Sequence, residues 1–319
     1  EAVLRSPKDS ELLQEAGVIE VEAGRLDNAI AYMKRAVELT PKAADAHLNL
    51  AEACRLHGNT ADALYHFNKA VQLVPDDADA HYALADLYVA EADWKNAEKH
   101  VELAVKLLPN DLEILNLHGI VLEQIGKFPE ARAAFLRALE ISPNFVDALC
   151  NLAELCLQTN HHADAALYYE LAAQQTPLND TQLSNLCNCY LRQDMAVKAL
   201  EVAEQLISTS RFNKYSLVAR GSAHRALGNF DAADLDYRAA LKEDEDFGPA
   251  YENLGVIHRL TQSDLNHIKQ RLEDPSQVSE DMLIGYYYAL YYGHRDDKEY
   301  AEAFRYLEQV NEILTKRSS

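Results

Sequence analysis

The chain has 319 residues, 48% of them hydrophobic, and carries 51 acidic against 30 basic side chains for a formal net charge of −21. That size allows two or three globular domains or one long array, while the charge repels duplex nucleic acid and anionic membranes and favours a basic or polar partner. No apolar run approaches the roughly 18 residues of a membrane span, and the five cysteines (Cys54, Cys150, Cys156, Cys187, Cys189) form no even framework, which argues for a reducing, cytoplasmic setting.

The opening residues, EAVLRSPKDS, lack a signal-peptide pattern. They fit a repeat already under way. Pro41, Pro75, Pro109, Pro143 and Pro177 stand 34 residues apart, and with Ser10 as position 1 the same register extends backwards to Pro7 at position 32 and Ala2 at position 27. Residues 1–9 are therefore expected to be the remnant of a truncated preceding repeat, and the chain a piece of a longer protein.

Residues 10–247 then divide into seven repeats without insertion or deletion. Position 20 is alanine throughout: Ala29, Ala63, Ala97, Ala131, Ala165, Ala199 and Ala233. Position 8 is Gly17, Ala51, Ala85, Gly119, Ala153, Cys187 and Gly221, and position 27 is alanine except at Leu206. Small residues at fixed points between larger apolar ones predict two amphipathic helices that approach closely in each repeat. Position 15, between the helices, is Gly24, Gly58, Gly126, Gly228, Asn160 or Asp194, residues that tolerate a left-handed helix end; Ala92 is the misfit. Capping residues follow each proline, as at Asp76 and Asp77, Asn110 and Asp111, Asn144, and Asn179 and Asp180.

After Gly255 the pattern weakens. Residues 248–275 are expected to form a divergent eighth repeat with a short helix around Leu265, Ile268 and Leu272, closed by Pro275. Residues 276–319 are expected to form a capping hairpin and tail. Counting back from Ala303 at position 20 puts Tyr287 and Tyr291 of the stretch GYYYALYYG inside that hairpin, with Tyr288 and Tyr292 towards the groove. A tyrosine at position 8, where other repeats have Gly, Ala or Cys, predicts a splayed last hairpin.

This register resembles the tetratricopeptide-repeat family over roughly residues 10–247. The resemblance implies an all-α, right-handed superhelical solenoid whose first helices line a concave groove that binds proteins or peptides. The segment from His267 to Lys316 also resembles the junction in bacterial tetratricopeptide-repeat sulfotransferases, through Glu273-Asp274-Pro275, Ala289-Leu290, Ala303-Phe304 and Asn311. Tyr291-Tyr292 stands where that family has Gly-Lys. That resemblance implies a recognition region for a catalytic domain outside this chain, since no Gly-rich phosphate loop occurs in it.

In this register positions 2, 5, 6 and 9 of each first helix face the groove. Position 2 is acidic in Glu11, Asp45, Asp79, Glu113 and Asp147, and position 9 adds Glu52, Asp86 and Glu154. Acids at position 2 also suit a helix N-terminus; those at position 9 lie mid-helix and point to a basic ligand. Asn49, Asn151, Asn185 and Asn253 recur at position 6, with Asn188 one turn beyond, while Tyr82 and Asn116 stand at position 5. These asparagines resemble, incompletely, the ladder of O-linked N-acetylglucosamine transferases, which implies amide contacts to a peptide backbone, and a glycosyltransferase recognition region is a weaker alternative. Asparagine is also common at this position in such repeats. The dicarboxylate clamp of chaperone-binding relatives lacks its basic residues here.

No catalytic residues, metal site or cofactor are expected. His161-His162 reads as a solvated turn, and Cys54, Cys156, Cys187 and Cys189 read as small core hydrophobes, with Cys150 facing the groove. The reading is a non-catalytic scaffold for a protein or extended peptide, with no nucleic-acid partner and no membrane insertion.

Overall fold

A computed structural model describes residues 8–209 and 213–317, and among these every regular element is helical. The repeats are helix pairs: α1 Ser10–Glu22 with α2 Leu26–Leu39, α3 Ala44–Leu56 with α4 Thr60–Leu73, α5 Ala78–Ala90 with α6 Trp94–Leu107, and α7 Leu112–Gln124 with α8 Phe128–Ile141. They continue with α9 Val146–Gln158 and α10 His162–Ala173, α11 Asp180–Arg192 and α12 Ala196–Thr209, and α13 Lys214–Ala226 and α14 Phe230–Glu243. Ala2 and Pro7, on which the truncated repeat was expected, lie outside the described residues. Contacts divide the chain into two compact bodies, Glu1–Leu155 and Cys156–Ser319. Among the described residues no helix is long and apolar enough to cross a membrane.

Local chemistry sets the helix ends. In five repeats the residue before the first helix supplies the cap: Asp9, Asp77, Asp111, Asn179 and Asn213 each accept backbone N–H bonds from the opening turn, whereas Ala43 before α3 makes no side-chain cap. Asn179 and Asn213 form reciprocal capping boxes with Gln182 and Ser216. Of each expected pair the cap is the residue immediately preceding the helix: Asp77, Asp111 and Asn179.

The turn between the two helices requires a left-handed residue. Gly24, Gly58, Gly126 and Gly228 have φ between 71° and 82°, Asn160 and Asp194 have 59° and 56°, and Ala92 is held at 54°. Ala92 therefore adopts the conformation of its counterparts despite its Cβ. The alanines of position 20 are completely buried at Ala29, Ala63, Ala97, Ala131, Ala165, Ala199 and Ala233, which lets each second helix lie close on its partner.

The carboxy-terminal end departs from the period. Helix α15, Gly248–Val256, has only nine residues and is followed by α16 Gln262–Arg271, a 3₁₀ turn at Pro275–Gln277, α17 Glu280–Asp296 and α18 Tyr300–Arg317. Because α15 lacks a full second helix, α17 packs back on it as well as forwards on α18. The contact is backbone on backbone: a Cβ on Gly285 would stand 2.3 Å from the carbonyl carbon of Gly248.

This changes the expected orientation of the tyrosines. The buried face of α17 is Gly285, Tyr286, Ala289 and Leu290, and Tyr286 donates to the Asp246 carbonyl at 2.9 Å. Tyr287 does meet α18, stacking on Tyr306 at 6.2 Å, and Tyr291 follows one turn later. It is half-buried beside Tyr292, with the Arg295 guanidinium 4.9 Å from the Tyr292 ring centre and 5.7 Å from that of Tyr291. The close approach at Gly285 is made to α15 rather than to α18.

Candidate functional site

In the amino-terminal body the first turns of α3, α5, α7 and α9 expose Asp45, Asp79, Glu113 and Asp147. Their charges bear on one another from repeat to repeat. Partial burial, and then Asp147 and Asp111, push the Glu113 carboxyl above the usual carboxylate range. Burial, and then Asp86, Glu113 and Asp111, raise the Tyr82 phenol. Tyr82 is half-buried. It is the point where acids of two successive repeats meet.

The position-9 acids have a partner that sequence reasoning missed. Arg55 donates to both oxygens of Glu52, at 2.8 and 2.7 Å, and lies 3.8 Å from Asp86. The signal was its place one turn after Glu52, at position 12. Glu154 is exposed. Cys150, expected to face the groove, is instead buried at 8% exposure, and burial pushes its thiol up to about 11. His161 pairs with the Thr159 hydroxyl at 3.0 Å.

The asparagines of position 6 hold the fold together. Asn49 donates to the Gln14 side chain at 2.9 Å, and Asn151 donates to Asn116 at the same distance, each reaching position 5 of the repeat before. Asn116 is thereby buried. In the carboxy-terminal body Asn185 donates to the Tyr169 hydroxyl at 3.1 Å, while Asn253 donates to the Pro249 carbonyl at 2.8 Å and accepts from the Tyr237 hydroxyl at 3.4 Å. Position 24 thus supplies the partner where position 5 does not.

The carboxy-terminal body has its own surface on the same register positions. Thr181, Ser184, Asn185 and Tyr215 line a cleft of about 320 Å³, and Ser184, Asn188, Tyr215, Val218 and Ser222 line a second of about 240 Å³. Asn188 is exposed. Tyr215, at position 2 of its repeat, is 60% exposed and stands edge-on to Phe247 at 5.0 Å. Lys214 holds the pair from above, 5.0 Å from the Phe247 ring centre and 2.5 Å from the Asp244 carboxylate. Neither Thr181 nor Tyr215 continues the acidic run of position 2, so this surface is partly aromatic, with Asp180 as the acid lining its first cleft. Reading position 2 beyond the fifth repeat would have found it.

One model of the tetratricopeptide repeat matches residues 15–78, 116–180 and 218–265, and a second matches residues 55–119. Pseudomonas aeruginosa pilF has a similar fold, at 20% identity and a TM-score of 0.58 over 65% of this chain and 94% of that one. A tetratricopeptide repeat protein from Parabacteroides merdae is similar at 19% identity and a TM-score of 0.56, covering 78% of this chain and 98% of that one. YrrB, described as having an unusual peptide-binding site, is similar at 23% identity and a TM-score of 0.50 over 57% of this chain and 94% of its own. No curated protein matches the chain in sequence.

Proposed function

The chain belongs to the tetratricopeptide-repeat family, and we propose that it is a non-catalytic scaffold whose amino-terminal body holds a basic segment of a protein partner. The observation that carries this is the set of acids around Tyr82: Asp86 in its own repeat, Glu113 in the next, and Asp147 acting on Glu113 in turn. Carboxylates that raise one another's proton affinity are stabilised by an incoming cation. Asp45 and Asp79 extend the acidic face, and Arg55 occupies one place on it. The side chains of Asn49 and Asn151 have a structural bond each, so their part in binding is to present the remaining amide hydrogen and the carbonyl oxygen beside the acids. In the carboxy-terminal body Asn185 and Asn188, with Tyr215, offer a polar and partly aromatic surface to an extended peptide, while Asn253 is engaged by Pro249 and Tyr237.

The test is a panel of labelled peptides of equal length and differing charge, titrated against the chain and against the triple variant Asp45→Asn, Asp79→Asn, Asp86→Asn. Basic peptides are expected to bind more tightly, with affinity falling as salt rises and falling about tenfold or more in the variant. No preference for basic peptides, or equal affinity for both proteins, would sink the acidic-groove reading.

A second reading, the recognition region of a larger sulfotransferase, is supported by the order of short helix α16, Asp274-capped turn and final hairpin. The intact mass of the native protein from its source tests it, and a mass near 35.8 kDa would dispose of it.

A further inference from the structure

Two pairs of histidines lie inside successive repeats, away from the acidic face. In each, the ring at position 4 of the first helix meets the ring at position 23 of the second. His47 and His66 stand Nδ1 to Nδ1 at 2.9 Å, and His81 and His100 do the same at 2.9 Å. The outer nitrogens are also held alike: Nε2 of His47 lies 3.2 Å from the Pro41 carbonyl, and Nε2 of His81 lies 3.0 Å from that of Pro75.

A carbonyl only accepts, so Nε2 of His47 and of His81 carries the hydrogen. Their Nδ1 atoms are then bare and accept from Nδ1–H of His66 and His100. Each pair ties three pieces of a repeat: the loop at the proline, the first helix and the second helix. At 2.9 Å the two ring nitrogens stand at ordinary hydrogen-bond distance.

We propose that these two pairs are acid-sensitive latches, which hold α3 against α4 and α5 against α6 through a single bridging hydrogen and loosen as the pH falls, because an opened pair takes up protons that the closed pair resists. A first added proton enters at the outer nitrogen of His66 or His100 and leaves the bridge intact. The second must go to Nδ1 of His47 or His81, where two N–H groups then face each other at the bridge.

The surroundings favour the uncharged pair. His47, His81 and His100 are buried, at 5%, 3% and 6% exposure. On the first pair bear Lys34 of α2 and Asp62 of α4, themselves 3.6 Å apart, and the edge of the Tyr65 ring; on the second bear Lys99 of α6 and the stacked ring of Tyr88. Burial first, then His81 and Lys99, hold His100 down to about 4; burial and then His47 lower His66, against the opposing pull of Asp62.

Both shifts are downward from an unfolded value near 6.5, so the unfolded chain takes up protons first as the pH falls. For His100 the stabilisation is complete above about pH 6.5 and is lost between there and about 4; for His66 it is lost in the same direction. For His100 alone, the difference in proton uptake at about pH 5 weakens the closed state about 30-fold.

Hydrogen exchange of the whole chain, corrected for intrinsic rates, tests this at about pH 7 and about pH 5. Amides of α5 and α6 are expected to lose about 20-fold in protection, those of α3 and α4 to lose protection as well, and those of α1 and α2 much less. Repeat 1 is the right control because it places Leu13 and Tyr32 at these positions, whereas α7 carries His118, which burial also holds low. In the variant His47→Leu, His66→Tyr, His81→Leu, His100→Tyr the loss should disappear. An equal loss in α1 and α2, or an undiminished loss in the variant, overturns the proposal. Should the variant not fold, ring titration of the wild-type histidines by NMR decides: midpoints for His66 and His100 well below free histidine uphold the latch, and midpoints near 6.5 overturn it.

Discussion

Replacing Ala92 by glycine is expected to stabilise the protein. Ala92 ends α5 at φ 54°, with its N–H on the Val89 carbonyl and the next N–H, of Asp93, on the Tyr88 carbonyl at 2.9 Å. Gly58 ends α3 with the same two bonds, Gly58 N–H to Arg55 and Asn59 N–H to Cys54. Holding an L-residue left-handed costs about 1–2 kcal/mol, and glycine returns about 0.4–1 kcal/mol of that through the entropy of the unfolded chain. The net gain for Ala92→Gly is therefore about 1 kcal/mol, close to a fivefold change in the local opening equilibrium. Gly58→Ala is the converse. A Cβ there meets nothing within 4 Å, so its loss of about 1 kcal/mol comes from the backbone alone. Urea unfolding followed by circular dichroism gives the sum, and hydrogen exchange at α5 and α6 localises it, since repeat arrays need not unfold as one unit. If Ala92→Gly brings no gain while Gly58→Ala is also neutral, the left-handed turn is not the source of strain and the reasoning fails.

Gly285→Ala should loosen the carboxy-terminal end by about 3 kcal/mol or more, because the added carbon would meet the Gly248 carbonyl at 2.3–2.4 Å and backbone atoms cannot rotate away; limited proteolysis between α16 and α17 reads it, and unchanged resistance would show that α17 can shift on α15 without penalty. The five buried cysteines should resist alkylation in the folded protein, Cys150 about 100-fold more than a free thiol because burial raises it from 9.0 to about 11; rapid labelling at neutral pH would mean that these helices open readily.

The helix starts were legible because a 34-residue repeat presents the same small residues to the same neighbours many times over. The packing of α17 back on α15 was not, because the register of the last hairpin was counted from Ala303 alone while the decisive contact joins Gly285 to Gly248 across an intervening helix. Two glycines 37 residues apart carry no periodic signal. The acidic run could be read directly from positions 2 and 9, yet Arg55 between Glu52 and Asp86 could not be judged a neutralising partner until its direction was known. The asparagines show the same limit: their recurrence marks an important position, and only the geometry tells that Gln14, Asn116, Tyr169 and Tyr237 are their partners.

Those amide bonds bear on what happens when a partner arrives. Asn49 fastened to Gln14, and Asn151 to Asn116, are side chains already committed to one rotamer. Long polar side chains on an open surface would otherwise each surrender about 0.5–1.5 kcal/mol of rotamer freedom on association. Here the ordering belongs to folding. A bound segment would meet a surface whose shape precedes it, so differences in affinity among partners would arise from their own flexibility and charge and show chiefly in how slowly they leave.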